Sequence, residues 1–207
     1  MELWGKNYKA FKKQYFEHSN RYAELVKNGQ KPKSLVISCC DSRVDPCTLL
    51  QAKPGEIFVV RNIANLIPPA SMLEKNQTVM SAIEFGLLFL HIKHLMIIGH
   101  RFCGGVSHLV NCTEDKAQTS YFIDYWLSVA AEVRDLVEQK KTFASADEKL
   151  KFSEQMSILL SYKNLLTYSW VKALVDSGQL KIDLCYFDLS SGDLSEYVFA
   201  EKKFIKL

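Results

Sequence analysis

Three short apolar segments, separated by helical patterns, are the feature that most restricts the fold of this chain. The segments cover residues 34–39, 57–61 and 95–99, and turn-forming or polar residues bound each of them. Short continuous apolar runs of this kind are typical of strands that are buried on both faces. Because helical patterns alternate with them, the sequence predicts an α/β fold with a central, mostly parallel β-sheet flanked by helices.

Capping residues and apolar spacing predict where several helices begin and end. Asp45 and Pro46 have the N-cap and first-turn pattern of a short helix, and Thr78 is expected to cap a helix with apolar residues on one side. Helical patterns also cover residues 119–138 and 145–176. The second begins at a capping box formed by Ser145 and Glu148 and contains a break that the sequence does not locate. Residues 180–188 predict a strand, and residues 196–199 a strand that pairs back with it.

The first 28 residues predict one amphipathic helix that ends near Asn28-Gly29. Its apolar face is formed by residues at steps of three, four and seven, namely Trp4, Tyr8, Phe11, Tyr15, Tyr22 and Leu25. A face this aromatic has to be buried, either on its own domain or on a second subunit. Residues 1–33 also carry 8 basic and 3 acidic side chains, and we interpret them as a solvated helix face without a function of their own.

Length and composition favour one domain spanning residues 1–207, with an N-terminal helical arm (1–29), a central part (30–110) and a C-terminal part of helices and strands (111–207). The net charge of +3 does not favour nucleic-acid binding. Charged and histidine residues interrupt the longest apolar stretch, 82–99, so no membrane partner is expected. The N-terminus lacks the apolar core of a secretory signal, which predicts a cytoplasmic protein.

Cysteine and histidine residues follow two of the predicted strands. His100 and Cys103 form a His-x-x-Cys pair between glycines, and such a pair can bind one metal ion. Cys39 or Cys40 could supply a third ligand, but they point to opposite faces of a strand and alternation alone does not choose between them. The other three cysteines, Cys47, Cys112 and Cys185, are expected to be buried as small apolar residues.

Two thiolates and one neutral imidazole balance the charge of Zn²⁺ and leave a fourth position open, which is the pattern of a catalytic zinc. Asp41 lies close enough in sequence to bind the metal and fill that position. Arg43 can instead pair with the carboxylate of Asp41 through both oxygens and keep it charged, oriented and free to accept hydrogen bonds.

The segment Cys39-Cys-Asp-Ser-Arg43 resembles the CxDSR motif of the β-class carbonic anhydrases, and His100-Arg-Phe-Cys103-Gly-Gly resembles their HxxCGG motif. Residues 58–69 resemble the sequence between these motifs in the plant-like branch, and the resemblance covers about residues 30–110. It implies one Zn²⁺ per chain on Cys39, His100 and Cys103. It also implies a catalytic dyad of Asp41 and Arg43, with Asp41 on the metal only in a closed state.

The resemblance further implies reversible hydration of carbon dioxide to bicarbonate by attack of zinc-bound hydroxide. The residues that match the family's substrate site are Gln30, Phe58, Ile63, Phe85 and Gly104. In the family, the equivalents of Gln30 and Phe58 reach the site across a dimer interface. The resemblance thus implies a homodimer as the minimal unit, and larger assemblies such as a tetramer or an octamer are equally compatible with it.

Three residues depart from the family pattern. Phe85 replaces a usual tyrosine, Leu184 replaces a usual glycine and puts the local packing in doubt, and Val36 replaces the tryptophan of the bicarbonate-inhibited branch. Val36 therefore predicts an open metal position at neutral pH. Two alternative functions share these motifs: hydrolysis of a CO₂ analogue such as carbonyl sulfide or carbon disulfide, and a non-catalytic zinc-binding or thiol-redox module.

Overall fold

The computed structural model describes residues 2–75, 77–111, 121–140 and 142–207, and a six-stranded sheet lies at its centre. In the order β2-β1-β3-β4-β5-β6, the strands are β1 (Ser34–Cys39), β2 (Ile57–Asn62), β3 (His94–His100), β4 (Lys181–Phe187), β5 (Leu194–Val198) and β6 (Lys203–Lys206). The first four in this order pair in parallel, and β5 and β6 join antiparallel. The predicted α/β class with a mostly parallel sheet is confirmed.

Helices cover the sheet. Those described are α1 (Glu2–Lys12), α2 (Arg21–Asn28), α3 (Pro46–Leu49), α4 (Gln77–Glu84), α5 (Gly104–Asn111), α6 (Tyr121–Leu127), α7 (Ala131–Lys140), α8 (Ala146–Leu165) and α9 (Ser169–Asp176). Single π-helical turns follow α1 and α4 at Lys13–Glu17 and Phe85–Phe89, and 3₁₀ turns occur at Ile63–Asn65, Ala70–Lys75 and Ser128–Ala130. Within the described ranges, no helix combines the length and the apolar character needed to cross a bilayer.

Both faces of β1 are buried, which explains its uninterrupted apolar sequence. Leu35 and Ile37 lie in the main core on one face, whereas Val36 packs with other apolar side chains on the opposite face. Leu184 of β4 is fully buried in the main core, so this chain accommodates the side chain that replaces the family's glycine.

The N-terminal segment departs from the single helix that we predicted. It breaks at residues 18–20, between the π-helical turn and α2, where the hydroxyl of Ser19 accepts a hydrogen bond from the Arg21 amide at 3.1 Å. Serine hydroxyls favour such local bonds over helix continuation. Within the described residues, the first part of the aromatic face is exposed, with exposed fractions of 65% for Trp4, 62% for Tyr8 and 36% for Phe11, whereas Tyr15, Tyr22 and Leu25 are half-buried.

Two of the predicted helix caps are confirmed and one is wrong. The carboxylate of Asp45 accepts a hydrogen bond from the Thr48 amide at 2.8 Å, and the hydroxyl of Ser145 accepts one from the Glu148 amide at 3.1 Å. Thr78 does not cap α4, because the helix already includes Gln77. The capping preference of a threonine therefore misplaced this helix start by at least two residues.

The remaining boundaries differ in detail from the predictions. The pattern at 119–138 corresponds to α6 and α7, which a 3₁₀ turn separates, and its first two residues lie outside the described part of the chain. The break within 145–176 falls between α8 and α9. The C-terminal hairpin is confirmed by β4 and β5, whereas β6 was not predicted.

Candidate metal centre

Three buried side chains meet at the carboxyl edge of the parallel strands. Cys39 ends β1, His100 ends the neighbouring β3, and Cys103 immediately precedes α5. Their ligand atoms all lie within 4.8 Å of one another. Ligands of open parallel sheets bind at this edge, so the sheet brings together two residues that are 61 positions apart in the sequence.

The geometry of this cluster fits a tetrahedral zinc ion. The two Sγ atoms are 4.0 Å apart, close to the roughly 3.8 Å expected for two thiolates at about 2.3 Å from one tetrahedral Zn²⁺. Nε2 of His100 is buried and has no hydrogen-bond partner among the described residues, while Nδ1 donates to the carbonyl of Arg101 at 2.9 Å. That bond places the proton on Nδ1 and leaves the Nε2 lone pair available to a metal.

The pKa values of the two thiols are shifted in opposite directions. The hydrogen bond from the Cys103 thiol is the largest cause that lowers the pKa of Cys39, whereas burial raises it. Backbone amides, among them that of Ala64 at 3.4 Å from Cys39 Sγ, add to the lowering, and the net pKa of Cys39 is about 4. The same thiol bond and burial raise the pKa of Cys103. The metal-free pair therefore keeps one proton, which metal binding would release.

Asp41 and Arg43 form the predicted pair beside the cluster. Nε and Nη2 of Arg43 donate to Oδ1 and Oδ2 of Asp41 at 2.9 and 2.7 Å, and the Arg43 amide donates to Oδ1 at 3.0 Å. These bonds hold the pKa of Asp41 well below its usual range. Oδ2 lies 3.9 Å from Nε2 of His100, so a charged acceptor lies next to the metal ligands.

The loop after β1 is supported by Arg61, a residue whose role the sequence analysis missed. Its guanidinium donates to the carbonyls of Cys39, Asp41 and Val44 at 2.9, 2.8 and 3.1 Å. The available signal was a charged residue at the end of an otherwise apolar strand. Because one guanidinium binds three carbonyls of this loop, Arg61 stabilises the conformation that places Asp41 near the cluster.

The five predicted substrate residues fall into two groups. Gly104 begins α5 directly after Cys103, and Ile63 precedes Ala64, whose amide contacts Cys39. The two segments pack closely against each other at Gly105, where a Cβ would lie 2.6 Å from the Ile63 side chain. Ile63 and Gly104 therefore lie on the metal side of the molecule.

Gln30, Phe58 and Phe85 are not beside the metal cluster of the same chain. Phe58 pairs with Leu35, four residues and roughly 13 Å along the strand from Cys39. Phe85 lies next to Phe58, with ring centroids 6.2 Å apart. Gln30 is exposed and precedes β1, at the opposite end of the strand from Cys39.

The predictions for the remaining cysteines are mixed. Cys40 is exposed, which agrees with a residue outside the cluster. Cys185 is buried as predicted and burial raises its pKa to about 12, whereas the expectation of a buried Cys47 is wrong because this residue is exposed on α3. Cys112 lies outside the described residues.

A buried carboxylate on α8 contacts the metal loop and was also missed by the sequence analysis. Oε1 of Glu154 accepts a hydrogen bond from the amide of Cys103 at 3.0 Å. Its neighbours include the guanidinium of Arg101 and the hydroxyl of Tyr186. Periodicity identified the helix but gave no indication that one of its glutamates is 1% exposed.

Comparisons with known proteins agree with this geometry. The sequence model described as "Carbonic anhydrase" matches residues 34–194. Beta carbonic anhydrase 6, mitochondrial, of Arabidopsis thaliana is 33% identical over 195 residues, which are 93% of this chain and 66% of that relative's own length.

Solved structures give the same result. The β-carbonic anhydrase CcaA superposes with a TM-score of 0.90 at 27% identity and covers 98% of this chain and 97% of its own. A tetrameric β-carbonic anhydrase from the filamentous ascomycete Sordaria macrospora superposes with a TM-score of 0.79 at 25% identity, covering 92% and 91% of the two chains. Both therefore share the overall fold of this chain.

Proposed function

The chain belongs to the β-carbonic anhydrase family, and we propose that it catalyses the reversible hydration of carbon dioxide to bicarbonate and a proton. The observation that carries this proposal is the buried Cys39–His100–Cys103 cluster with an oriented carboxylate beside it. A structural zinc site needs four protein ligands and no neighbouring acceptor. Three ligands and the Asp41–Arg43 pair instead favour catalysis.

Cys39, His100 and Cys103 would hold the metal ion. When bound, Zn²⁺ lowers the pKa of a water molecule from 15.7 towards about 7 and so supplies a nucleophile near neutral pH. The carboxylate of Asp41 accepts a hydrogen bond from the attacking water and orients it towards carbon dioxide. Arg43 keeps that carboxylate charged and directed away from the metal, because it occupies both carboxylate oxygens.

Carbon dioxide is small and apolar, and Ile63 offers it an apolar contact on the metal side of the chain. The amide of Gly104 lies in the first turn of α5, where the helix leaves N–H groups free to stabilise the developing charge of bicarbonate. Gln30, Phe58 and Phe85 complete the site from a second copy, since they are remote from the cluster of their own chain.

The functional unit is therefore a homodimer. Trp4, Tyr8 and Phe11 support this assembly, because these aromatic side chains of the arm are exposed in the part of the chain that the structure describes. Large exposed apolar patches are typical of subunit interfaces. The Sordaria macrospora enzymes are tetramers, and a tetramer or an octamer of this chain would be assembled from such dimers.

A cytoplasmic location fits this chemistry. Cys39 and Cys103 bind zinc only as reduced thiols, and the cytoplasm keeps thiols reduced. Fractionation of cells that produce the full-length protein, with detection by an antibody, tests the location. Recovery with the soluble cytosolic fraction is expected, and recovery in a membrane-bounded compartment would contradict it.

The proposed reaction is tested by comparing two substrates on protein of known zinc content. We expect one zinc ion per chain and fast turnover of carbon dioxide, with slow or no release of sulfide from carbonyl sulfide. The reverse preference would support the hydrolase of a CO₂ analogue. Bound zinc without turnover of either substrate would support a non-catalytic zinc module.

A further inference from the structure

One carboxylate contacts both halves of the loop that joins two of the metal ligands. Oε1 of Glu154 accepts the Cys103 amide at 3.0 Å, and Oε2 accepts Nη1 of Arg101 at 3.2 Å. Glu154 lies on α8, an element separate from the strand and the helix that carry the ligands. This one side chain thus connects both halves of the loop to α8.

Arg101 connects the same carboxylate to the second ligand. Its carbonyl accepts the Nδ1 proton of His100 at 2.9 Å, and its amide donates to the carbonyl of Phe187 at 2.8 Å. Its side chain is 4% exposed and lies between Glu154 and Asp147. A shift of Arg101 would therefore move the carbonyl that keeps Nε2 of His100 free for the metal.

Each partner of the Glu154 carboxylate that the structure describes is a donor. Besides the Cys103 amide and Arg101, the hydroxyl of Tyr186 donates to Oε2 at 2.6 Å. The two carboxylate oxygens thus accept three hydrogen bonds in total. A buried carboxylate of this kind is costly unless all its bonds are made, and its position therefore fixes the positions of its partners.

The loop itself needs such support. Phe102, between the two ligands, has φ +59°, a left-handed conformation that non-glycine residues rarely adopt. Its carbonyl accepts a hydrogen bond from Arg43 at 3.1 Å, and Arg101 lies 4.3 Å from its ring centroid. Strained turns persist where surrounding contacts determine them, and Glu154 provides the contacts at both ends of this one.

We propose that Glu154 is a positioning residue of the metal centre, which holds His100 and Cys103 at the separation and orientation that zinc requires. This inference rests on the proposed zinc site but not on the identity of the substrate. It assigns to the α8 carboxylate a role in metal retention and in the coordination geometry. A purely structural role would affect folding stability alone.

The substitution Glu154→Gln tests this, because the amide keeps the shape but introduces a donor. We expect the zinc-loaded variant to release zinc to a chromogenic chelator more readily, with an apparent affinity about 10- to 100-fold lower than that of the unchanged protein. The visible absorption of the cobalt-loaded variant, which reports the thiolate geometry, is expected to change. Circular dichroism checks that the variant remains folded throughout.

Glu132→Gln is the matched control, since Glu132 of α7 pairs at the surface with Lys163 of α8, the helix that carries Glu154. It should leave zinc release and the cobalt spectrum unchanged. If Glu154→Gln does not fold, Glu154→Asp takes its place, because the shorter carboxylate cannot reach both partners. A folded variant at this position with unchanged zinc release and an unchanged cobalt spectrum would overturn the inference, whereas unchanged protein that binds no zinc would contradict the metal centre itself.

Discussion

Arg43 binds both carboxylate oxygens of Asp41, with Nε 2.9 Å from Oδ1 and Nη2 2.7 Å from Oδ2. The same Nη2 donates to the carbonyl of Phe102, in the loop between two metal ligands. One guanidinium therefore connects the segment after β1 to the segment after β3. This contact determines whether Asp41 acts as a hydrogen-bond acceptor or becomes a fourth metal ligand.

Removal of this guanidinium is expected to inactivate the protein without loss of zinc. In Arg43→Ala, Asp41 is free to occupy the open metal position, and we predict at least about 100-fold slower carbon dioxide hydration because a misplaced group costs that much. Arg43→Lys should restore only part of the rate, since an ammonium cannot bind both oxygens in one plane. Turnover and zinc content are measured on the same samples.

Lys172→Ala, which breaks an exposed ion pair with Asp176 on α9, serves as the control and should keep the full rate. Unreduced turnover in Arg43→Ala would show that the carboxylate needs no such partner.

Gly105→Ala tests the close packing of α5 on the metal side. The new Cβ would lie 2.6 Å from Cγ2 of Ile63 and 3.2 Å from Cβ of Ala64. Overpacking of this kind typically costs about 1–3 kcal/mol of the free energy of unfolding, measured by urea denaturation. Gly104→Ala is the comparison, because no side chain of the described residues beyond its chain neighbours lies within 4 Å of a Cβ there. Equal stability of the two variants would contradict the packing argument.

The pH dependence of stability contains a contribution from Asp183 on β4. Burial raises its pKa, but hydrogen bonds from Lys181 and His94 outweigh burial, and the pKa is lowered overall. A carboxylate of this type stabilises the fold fully above its unfolded pKa of about 3.9, and the contribution is lost as the pH falls through the lower folded value. The effect therefore operates at neutral pH and disappears in acid.

Asp183→Asn should accordingly reduce the free energy of unfolding at neutral pH by about 1 kcal/mol. The difference from the unchanged protein should shrink as the pH falls below about 3.9. Urea titrations of the metal-free protein measure this without interference from zinc release. A difference that does not depend on pH would mean that charge is not its source.

The exposed face of the N-terminal arm predicts a concentration-dependent assembly. Replacement of both Trp4 and Tyr8 by serine removes two side chains that are 65% and 62% exposed in this chain. Sedimentation velocity should show a shift from dimer towards monomer, with reduced turnover because Gln30 and Phe58 of a second copy would be missing. Phe122→Ser, at an exposed aromatic outside the arm, should leave the dimer intact. A dimer that survives the double substitution would place the interface elsewhere.

Most strands of the sheet, and two of the three metal ligands, could be predicted because they depend on local sequence patterns. The apolar runs correctly predicted strands β1 and β3, and the glycines around His100 and Cys103 indicated a tight loop. The alternation of side chains along a strand did not distinguish Cys39 from Cys40 as the third ligand. The family resemblance indicated Cys39, and in the structure Cys39 is buried and Cys40 is exposed.

Other features depend on contacts that are distant in sequence. Glu154 and Tyr186 meet the metal loop through α8 and β4, and periodicity carries no information on such pairings. The short strand β6 begins and ends with lysine and lies at the edge of the described sheet, where it pairs with β5, so its sequence has little apolar signal. The break at residues 18–20 was missed although a serine and an asparagine there are typical of helix starts.

Stopped-flow hydration of carbon dioxide across pH, on protein with a determined zinc content, tests the central claim most directly. We predict one zinc ion per chain and fast turnover that rises through a single ionisation near or above neutral pH and disappears when the metal is removed. Because Asp41 stays paired with Arg43, turnover at neutral pH is expected to be substantial. Zinc-loaded protein without hydration activity at any pH would contradict the proposed reaction.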